Sequence, residues 1–549
     1  MTTITLTTED FQFLTAFVTM MIFAVTLFCA LPSGANKENT AIARLQEALG
    51  AKRWPAKWFV AVALFWAVLA LCLFGGLIVT IGMIVHQLFF AADFTANRFP
   101  LIQLAALTAT LGAVVALPFT VLRLKLTQEQ TETAKAALFN EKITEAAADL
   151  HAQRQVSKET ESGWGTVWED DITRRNAAID HLEGLVREEP QEAVRVSRLL
   201  SVYVRELSKA YPAKVPPDKE DIDNVREWAR SLTVQRSDMQ NAVQVLGRLA
   251  VNAPDHKDAL EIDLRGANLQ HMDLVYLTFE KANLGGAKLQ GAYLIGAKLQ
   301  GANLSSAELQ GADLSSAELQ GADLIGAELQ GAYLIGAKLQ GANLSSAELQ
   351  GADLIGAELQ GANLSSAKLQ GADLDSAELQ GADLIGAELQ GANLIGAKLL
   401  GANLSSAELQ GAYLSSAELQ GADLSSAELQ GAYLIGAELQ GAYLIGAELQ
   451  GANLSSAKLQ GADLSSAKLD QKSNLTEANL LAASVKFVDF TNVPQIAPHL
   501  QDMFGDGSVT LPPDTSLPPN WSQKKDLSYE AFHAKWRVFA ASKGVEIPD

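Results

Sequence analysis

The sequence predicts a multi-domain protein: three N-terminal transmembrane α-helices, a small α-helical cytoplasmic segment, a long solenoid rod and a short C-terminal helical cap. Three observations carry that reading. Three long runs near the N-terminus contain no charged residue. A leucine recurs at every fifth position from Leu264 to Leu469, with Phe279 as the one substitute. The chain also combines a net charge of −21 with 48% hydrophobic residues, so charge and apolar surface must lie in different regions. Its 549 residues exceed what one ordinary core organises and suggest three or four domains.

The uncharged runs cover about 11–31, 58–85 and 99–122 within a membrane domain, 1–126. Each exceeds the roughly 18–20 apolar residues that carry a helix across a bilayer. A cleaved signal peptide does not fit the first run, because Met1–Asp10 lacks Lys and Arg and ends in Glu9 and Asp10. Pro118 near the end of the third span predicts a kink there. Lys37, Arg44, Lys52, Arg53 and Lys57 fill the first loop, Arg98 alone marks the second, and Arg123 and Lys125 follow the third span. The positive-inside rule then puts the N-terminus outside a cytoplasmic (inner) membrane and everything after the third span in the cytoplasm.

A cytoplasmic helical segment is expected over 127–258. From Thr127 to about Lys158, Ala134, Leu138, Ile143, Ala146 and Leu150 recur near helical spacing. That predicts a juxtamembrane helix able to pair with a copy of itself, broken by Gly163 and Gly165. Further helices are expected at about 172–188, 191–209, 219–233 and 237–252, with a Pro-rich break over Tyr211–Pro217.

The rest of the chain is dominated by a repeat, read here as 259–490. Decamers such as GANLSSAELQ (301–310) each hold two pentads, A-(N/D/E/K/Y)-L-x-x, and forty-two pentads run in register from Leu264 to Leu469. A one-residue insertion near Asp470–Ser473 precedes four weaker pentads centred on Leu475, Leu480, Val485 and Phe490. Period five suits neither regular element. An α-helix turns about 500° in five residues and would spread the leucines around its circumference. A strand would send successive leucines to opposite faces. A coil that turns a corner every five residues brings every Leu to a central axis with Ala beside it, and stacks by backbone hydrogen bonds.

With these pentads the sequence resembles the pentapeptide repeat family. The resemblance implies a right-handed quadrilateral β-helix of four pentads per coil, a rod on the order of 55 Å long at the inter-strand spacing of about 4.8 Å. Charged residues before alternate leucines, such as Glu308 and Lys338, depart from the usual Asn or Asp and should still face solvent. The stretch Asp238–Arg248 leading into Ile262-Asp-Leu, and FGDGSVTLP at 504–512, are similar to the entry and exit of the repeats in membrane proteins of this type.

Four pentads per coil stack residues twenty apart. Two opposite faces then carry glutamate columns interrupted by lysine, and a third alternates Asp with Asn and Tyr. The fourth carries Tyr293, Ile295, Tyr333, Ile335, Ile355, Ile395, Tyr413, Tyr433 and Ile435, read as an apolar stripe and a candidate contact surface. The tail, 491–549, is expected to wrap and cap the rod, with a helix from Ser528 to Lys543 turning Phe532, Trp536 and Phe539 inward and stopping at Gly544.

No Walker A, dinucleotide fingerprint, GxSxG or HExxH occurs. His151, His181 and His256 lack metal-ligand spacing, and Cys29 and Cys72 fall inside predicted spans. The reading is therefore no enzyme, no cofactor and no metal. It expects a membrane-anchored scaffold whose partners are the bilayer, a protein, or a second copy through the juxtamembrane helix or rod. Some members of the family resemble duplex DNA and bind DNA gyrase, which gives the alternative of a regulator of a DNA-acting enzyme. Between Ala259 and Phe490 the net charge is −16. Over the rod that is about half the charge density of duplex DNA, one per ≈ 1.7 Å. The acidity also opposes direct nucleic-acid binding. A second alternative is a membrane sensor or channel-like assembly; the spans hold few polar residues to support it.

Overall fold

A computed structural model describes residues 56–90, 98–160, 163–217, 221–525 and 527–547. The chain divides into two compact units, Met1–Glu141 and Lys142–Asp549. The expected first span, 11–31, lies outside the described residues.

In the first unit, α1 (Ala56–Phe90) and the start of α2 (Arg98–Asp149) are long and apolar enough to cross a membrane. Bulky side chains such as Phe65, Phe74, Ile102 and Phe119 are exposed, as a lipid-facing helix requires. Thr80, Thr108 and Thr110 donate their hydroxyls to the carbonyls four residues back, which satisfies them without water. The expected third span and juxtamembrane helix form one helix, which runs through Pro118 and ends at Asp149.

Gly163 and Gly165 do not break a helix. They lie in a strand. The chain from Gln153 to Asp170 forms an antiparallel hairpin, β1 (Gln153–Thr160) with β2 (Gly163–Asp170), in which Val156 faces Val167. The helical reading of 127–158 is corrected here: β-branched Val156, Thr160, Thr166 and Val167 favour a ladder, and Asp171 closes its base by donating to the Ala152 carbonyl at 2.9 Å.

Four helices follow close to their expected bounds: α3 (Ile172–Glu188), α4 (Ala193–Ala210), α5 (Ile222–Ser231) and α6 (Ser237–Asn252). Asp171 and Asp221 cap α3 and α5 by accepting the N–H groups of Arg174 and Asn224. Ile179, Leu182, Val196, Leu200, Val204, Val243 and Leu246 form the core between α3, α4 and α6. Beside it Asp238 accepts from Tyr203 and Arg236, and Arg236 reaches on to Asp170. Burial opposes the Asp238 charge, but the Arg236 and Tyr203 hydrogen bonds outweigh it and hold the carboxyl below its ordinary range.

The repeats then wind as a four-cornered coil. Parallel bridges join residues twenty apart from Asp263↔Asn283 onward. One set of bonds recurs: Leu304 N–H to the Asp323 carbonyl, Asp323 N–H to Ala302, and Ala307 N–H back to Leu304. Ala302, Leu304 and their equivalents are fully buried, and each such leucine contributes about 1.5–3 kcal/mol by leaving water. The regular corners take positive φ, supplied mostly by glycine (Gly311, φ 62°) or serine (Ser316, φ 56°) and in the first coil also by His271, Tyr276 and Lys281. At the insertion the stacking interval lengthens, pairing Asn453 with Asn474. The Asp470 carboxylate holds that bulge by accepting the N–H groups of Gly451, Lys472 and Ser473.

Both rod ends are covered. At the first coil, Ser201 and Ser208 on α4 accept the N–H groups of Asp263 and Asn268, and the Gly247 carbonyl on α6 accepts that of Thr278. At the far end the ladder continues past Phe490. β3 (Ser484–Val485) pairs in parallel with β4 (Phe504–Gly505), and bridges reach Thr510 and Ser522. The final helix, α7 (Tyr529–Ser542), is capped by Ser528 and sets Phe532 and Trp536 on Phe504. Trp536 Nε1 donates to the Ala482 carbonyl at 2.6 Å.

Candidate interaction surface

With Ala and Leu turned inward, the residue before each Leu forms a column on each face of the rod. In the two glutamate columns, Lys338 reaches Glu318 at 3.4 Å, Lys398 reaches Glu378 at 2.7 Å and Lys468 reaches Glu448 at 2.6 Å, each one coil away. The ion pairs with Glu348 and Glu378 raise the ammonium pKa of Lys368 and Lys398. Between the lysines a glutamine does similar work. Gln330 donates through Nε2 to Glu348, and Gln370, Gln390, Gln410 and Gln430 do the same to the glutamates eighteen residues on. Most of the stacked carboxylates thereby gain a donor, which offsets their repulsion; Glu418, with Leu400 eighteen residues before it, is the exception in the pattern. The glutamine's role was not read from the sequence, although its recurrence after Leu in alternate pentads, broken at Leu400 and Asp470, was the signal.

On the fourth face, Tyr293, Ile335, Ile355, Ile395, Tyr413, Tyr433 and Ile435 are exposed, whereas Ile295 and Tyr333 are half-buried. They do not form one continuous stripe. Asp353, Asp373 and Asn393 stand in the column between Tyr333 and Tyr413. Near the first coils the apolar residues already have partners. His271 meets Tyr293 edge-on at 5.1 Å, Arg226 lies 5.3 Å over the Tyr333 ring, and Arg230 donates to the Tyr333 hydroxyl at 2.7 Å. Farther along, Tyr413 and Tyr433 stack in parallel at 5.1 Å, flanked by Ile395 and Ile435. That second patch is open. Ile325 and Ile385, on the opposite side of the rod, are also exposed and were not singled out by sequence.

The partner of Tyr333 is α5, which lies along one edge of the rod. This edge is formed by the glycines between the first glutamate column and the tyrosine column. A Cβ added at Gly311 would meet the Ala229 methyl at 2.7 Å, and one at Gly351 would meet Ile222 at 2.9 Å. Arg226 donates to the carbonyls of Gly331 (3.1 Å) and Gly351 (2.6 Å). The preceding loop is pinned by Gln270, which accepts from the Lys214 N–H and donates to its carbonyl. Among the described residues, no group of His, Cys, Asp and Glu is arranged to hold a metal ion.

A stacked four-pentad coil with this side-chain order defines a pentapeptide repeat solenoid, and comparison with known proteins agrees. The family described as Pentapeptide repeats matches in 8 copies, over segments from 262–301 to 432–471. The chain belongs to the pentapeptide repeat family. Among solved structures it is similar to HetL, a pentapeptide repeat protein involved in heterocyst differentiation regulation from the cyanobacterium Nostoc, at 37% identity over 42% of this chain and 95% of that one (TM-score 0.31). It is also similar to a pentapeptide repeat protein of the Arabidopsis thaliana thylakoid lumen, at 35% identity over 16% and 61% (TM-score 0.16). A third is trypsin-treated QnrB1, a plasmid-mediated fluoroquinolone resistance protein, at 23% identity over 34% and 88% (TM-score 0.24). No curated relative matches the chain.

Proposed function

We propose that this protein is a membrane-anchored interaction scaffold that presents the side of its rod to a protein partner in the cytoplasm. The capping of both coil ends by the chain itself carries this reading. Ser201, Ser208 and Gly247 occupy one end and the α7 cap the other, so the lateral surface is what the rod offers. That surface combines the open Tyr413–Tyr433 patch with charged columns. The apolar helices α1 and α2 support a membrane anchor, and the excess of Lys and Arg in the first loop supports a cytoplasmic rod. A regular surface of like carboxylates offers no unique site for acid–base chemistry.

A decoy for a DNA-acting enzyme is less well supported. Besides its low charge density, the rod ties part of its carboxylate surface into Lys and Gln contacts between coils. Co-purification of the detergent-solubilised full chain with mass spectrometry separates the readings. A stoichiometric protein partner supports the scaffold, and recovery of a topoisomerase supports the decoy. A C-terminal fluorescent fusion that reports an extracytoplasmic end would contradict the orientation.

A further inference from the structure

The edge that holds α5 does not end where α5 ends. Glycine occupies this corner from Gly291 to Gly451 at intervals of twenty, and α5 covers Gly291, Gly311, Gly331 and Gly351. At Gly371, Gly391, Gly411 and Gly431 an added Cβ would meet nothing within 4 Å. An open cavity of about 840 Å³ marks the transition, lined by Ile222, Arg226, Gly351, Gly371 and Asp373 among others.

The fit of α5 is a match of two periods. Ile222, Arg226 and Ala229 lie four and then three residues apart, a rise of roughly 4.5–6 Å per step in an α-helix. Successive coils are about 4.8 Å apart. A helix laid along the rod therefore meets a fresh glycine corner with each heptad-type step. The corner also offers hydrogen-bond acceptors. Among the described backbone bonds, the ladder uses the carbonyls of residues such as Gln330, Ala332 and Tyr333 but not that of Gly331. In the covered half, Arg226 takes up two of these glycine carbonyls. Beyond α5 the same edge runs between Glu388, Glu408 and Glu428 on one side and Tyr413 and Tyr433 on the other.

We infer that the edge from Gly371 to Gly431 is a docking track for an α-helix of a partner protein, laid along the rod as α5 is. Its occupant carries small or apolar residues at i and i+7 and an arginine at i+4, directed at the glycine carbonyls and the glutamate column. Continuity with the α5 interface and the acidic wall select this occupant. The inference rests on the scaffold reading and assigns it a partner chemistry.

The track can be blocked without breaking the coil, because Ser306, Ser316 and other serines already hold positive φ at equivalent corners. The probe is a fluorescent, helix-stapled peptide of Ile222–Ser231, titrated by anisotropy into the detergent-solubilised full chain. Saturable binding is expected at one peptide per chain. It should weaken by about tenfold or more in the triple variant Gly391→Ser, Gly411→Ser, Gly431→Ser, and similarly when the peptide carries Arg226→Glu. No binding up to roughly 1 mM overturns the inference. So does binding that the triple variant retains and Gly311→Ser removes, which places the peptide in the seat of α5. Co-purification of a stoichiometric partner that the triple variant still holds would likewise remove the track while leaving the scaffold reading standing.

Discussion

The hydroxyl of Ser208 accepts the backbone N–H of Asn268 at 2.9 Å, taking the part that an alanine carbonyl of the preceding coil plays elsewhere in the rod. A helix side chain thus completes a β-ladder, and Ser201 does the same for Asp263. Ser201→Ala and Ser208→Ala each leave a covered N–H without its acceptor, a loss of about 1–3 kcal/mol. Hydrogen exchange should show faster exchange at Asp263 and Asn268 in these variants and unchanged protection at mid-rod leucine amides.

Gly311→Ser tests the seating of α5. The backbone tolerates serine at a corner, but the added atoms collide with Ala229. The expected result is a rod of unchanged circular dichroism in which α5 is displaced. Limited proteolysis near Arg226 and Arg230 should accelerate, whereas Gly381→Ser, at an opposite corner with nothing within 4 Å, should leave the cleavage pattern unaltered.

Trp536→Ala removes a buried ring and the bond to Ala482, a change that costs about 3–5 kcal/mol in a packed site. With α7 loosened, the last coils expose an unpaired edge that favours end-to-end association. Light scattering of the detergent-solubilised variant should report larger, concentration-dependent particles than the parent protein gives.

Mild acid should weaken the same cap. His533 on α7 packs against Tyr529 and Trp536, 3.6 Å from the buried Asp463 carboxylate, with Arg537 one turn away. Burial lowers its pKa from 6.5 despite the attraction of Asp463. A histidine with a depressed folded pKa binds its proton more readily when unfolded. Its share of stability is therefore present above pH 6.5 and declines as pH falls below that value toward the folded pKa. Protection factors of α7 amides, relative to the intrinsic exchange rate at each pH, should fall as the pH drops below 6.5, and His533→Gln should flatten that dependence.

The rod was legible in the sequence because its period is imposed by geometry: Leu304 and Ala302 face the axis in every coil, so the spacing survives any choice of surface residue. The bundle helices were legible from their apolar spacing and from Asp171 and Asp221 at helix starts. The hairpin at Gln153–Asp170 was not, because a polar, alanine-rich stretch runs straight into it and Gly163 reads as a helix stop. The candidate stripe was half legible. Sequence placed Tyr413 and Tyr433 on one face, but it could not reveal that α5, more than a hundred residues earlier, engages Tyr333. Such a contact depends on how far the chain folds back along the rod, which no local period records.

The central claim is that the open side of the rod binds a protein. Its most direct test is quantitative mass spectrometry of proteins co-purifying with the full chain from native membranes. Parent protein is compared with a variant carrying Ile395→Ser, Tyr413→Ser, Tyr433→Ser and Ile435→Ser. A partner recovered in near-stoichiometric amount with the parent and lost with the variant is the predicted result. An absence of any stoichiometric protein from the parent sample, or a partner retained undiminished by the variant, would contradict it.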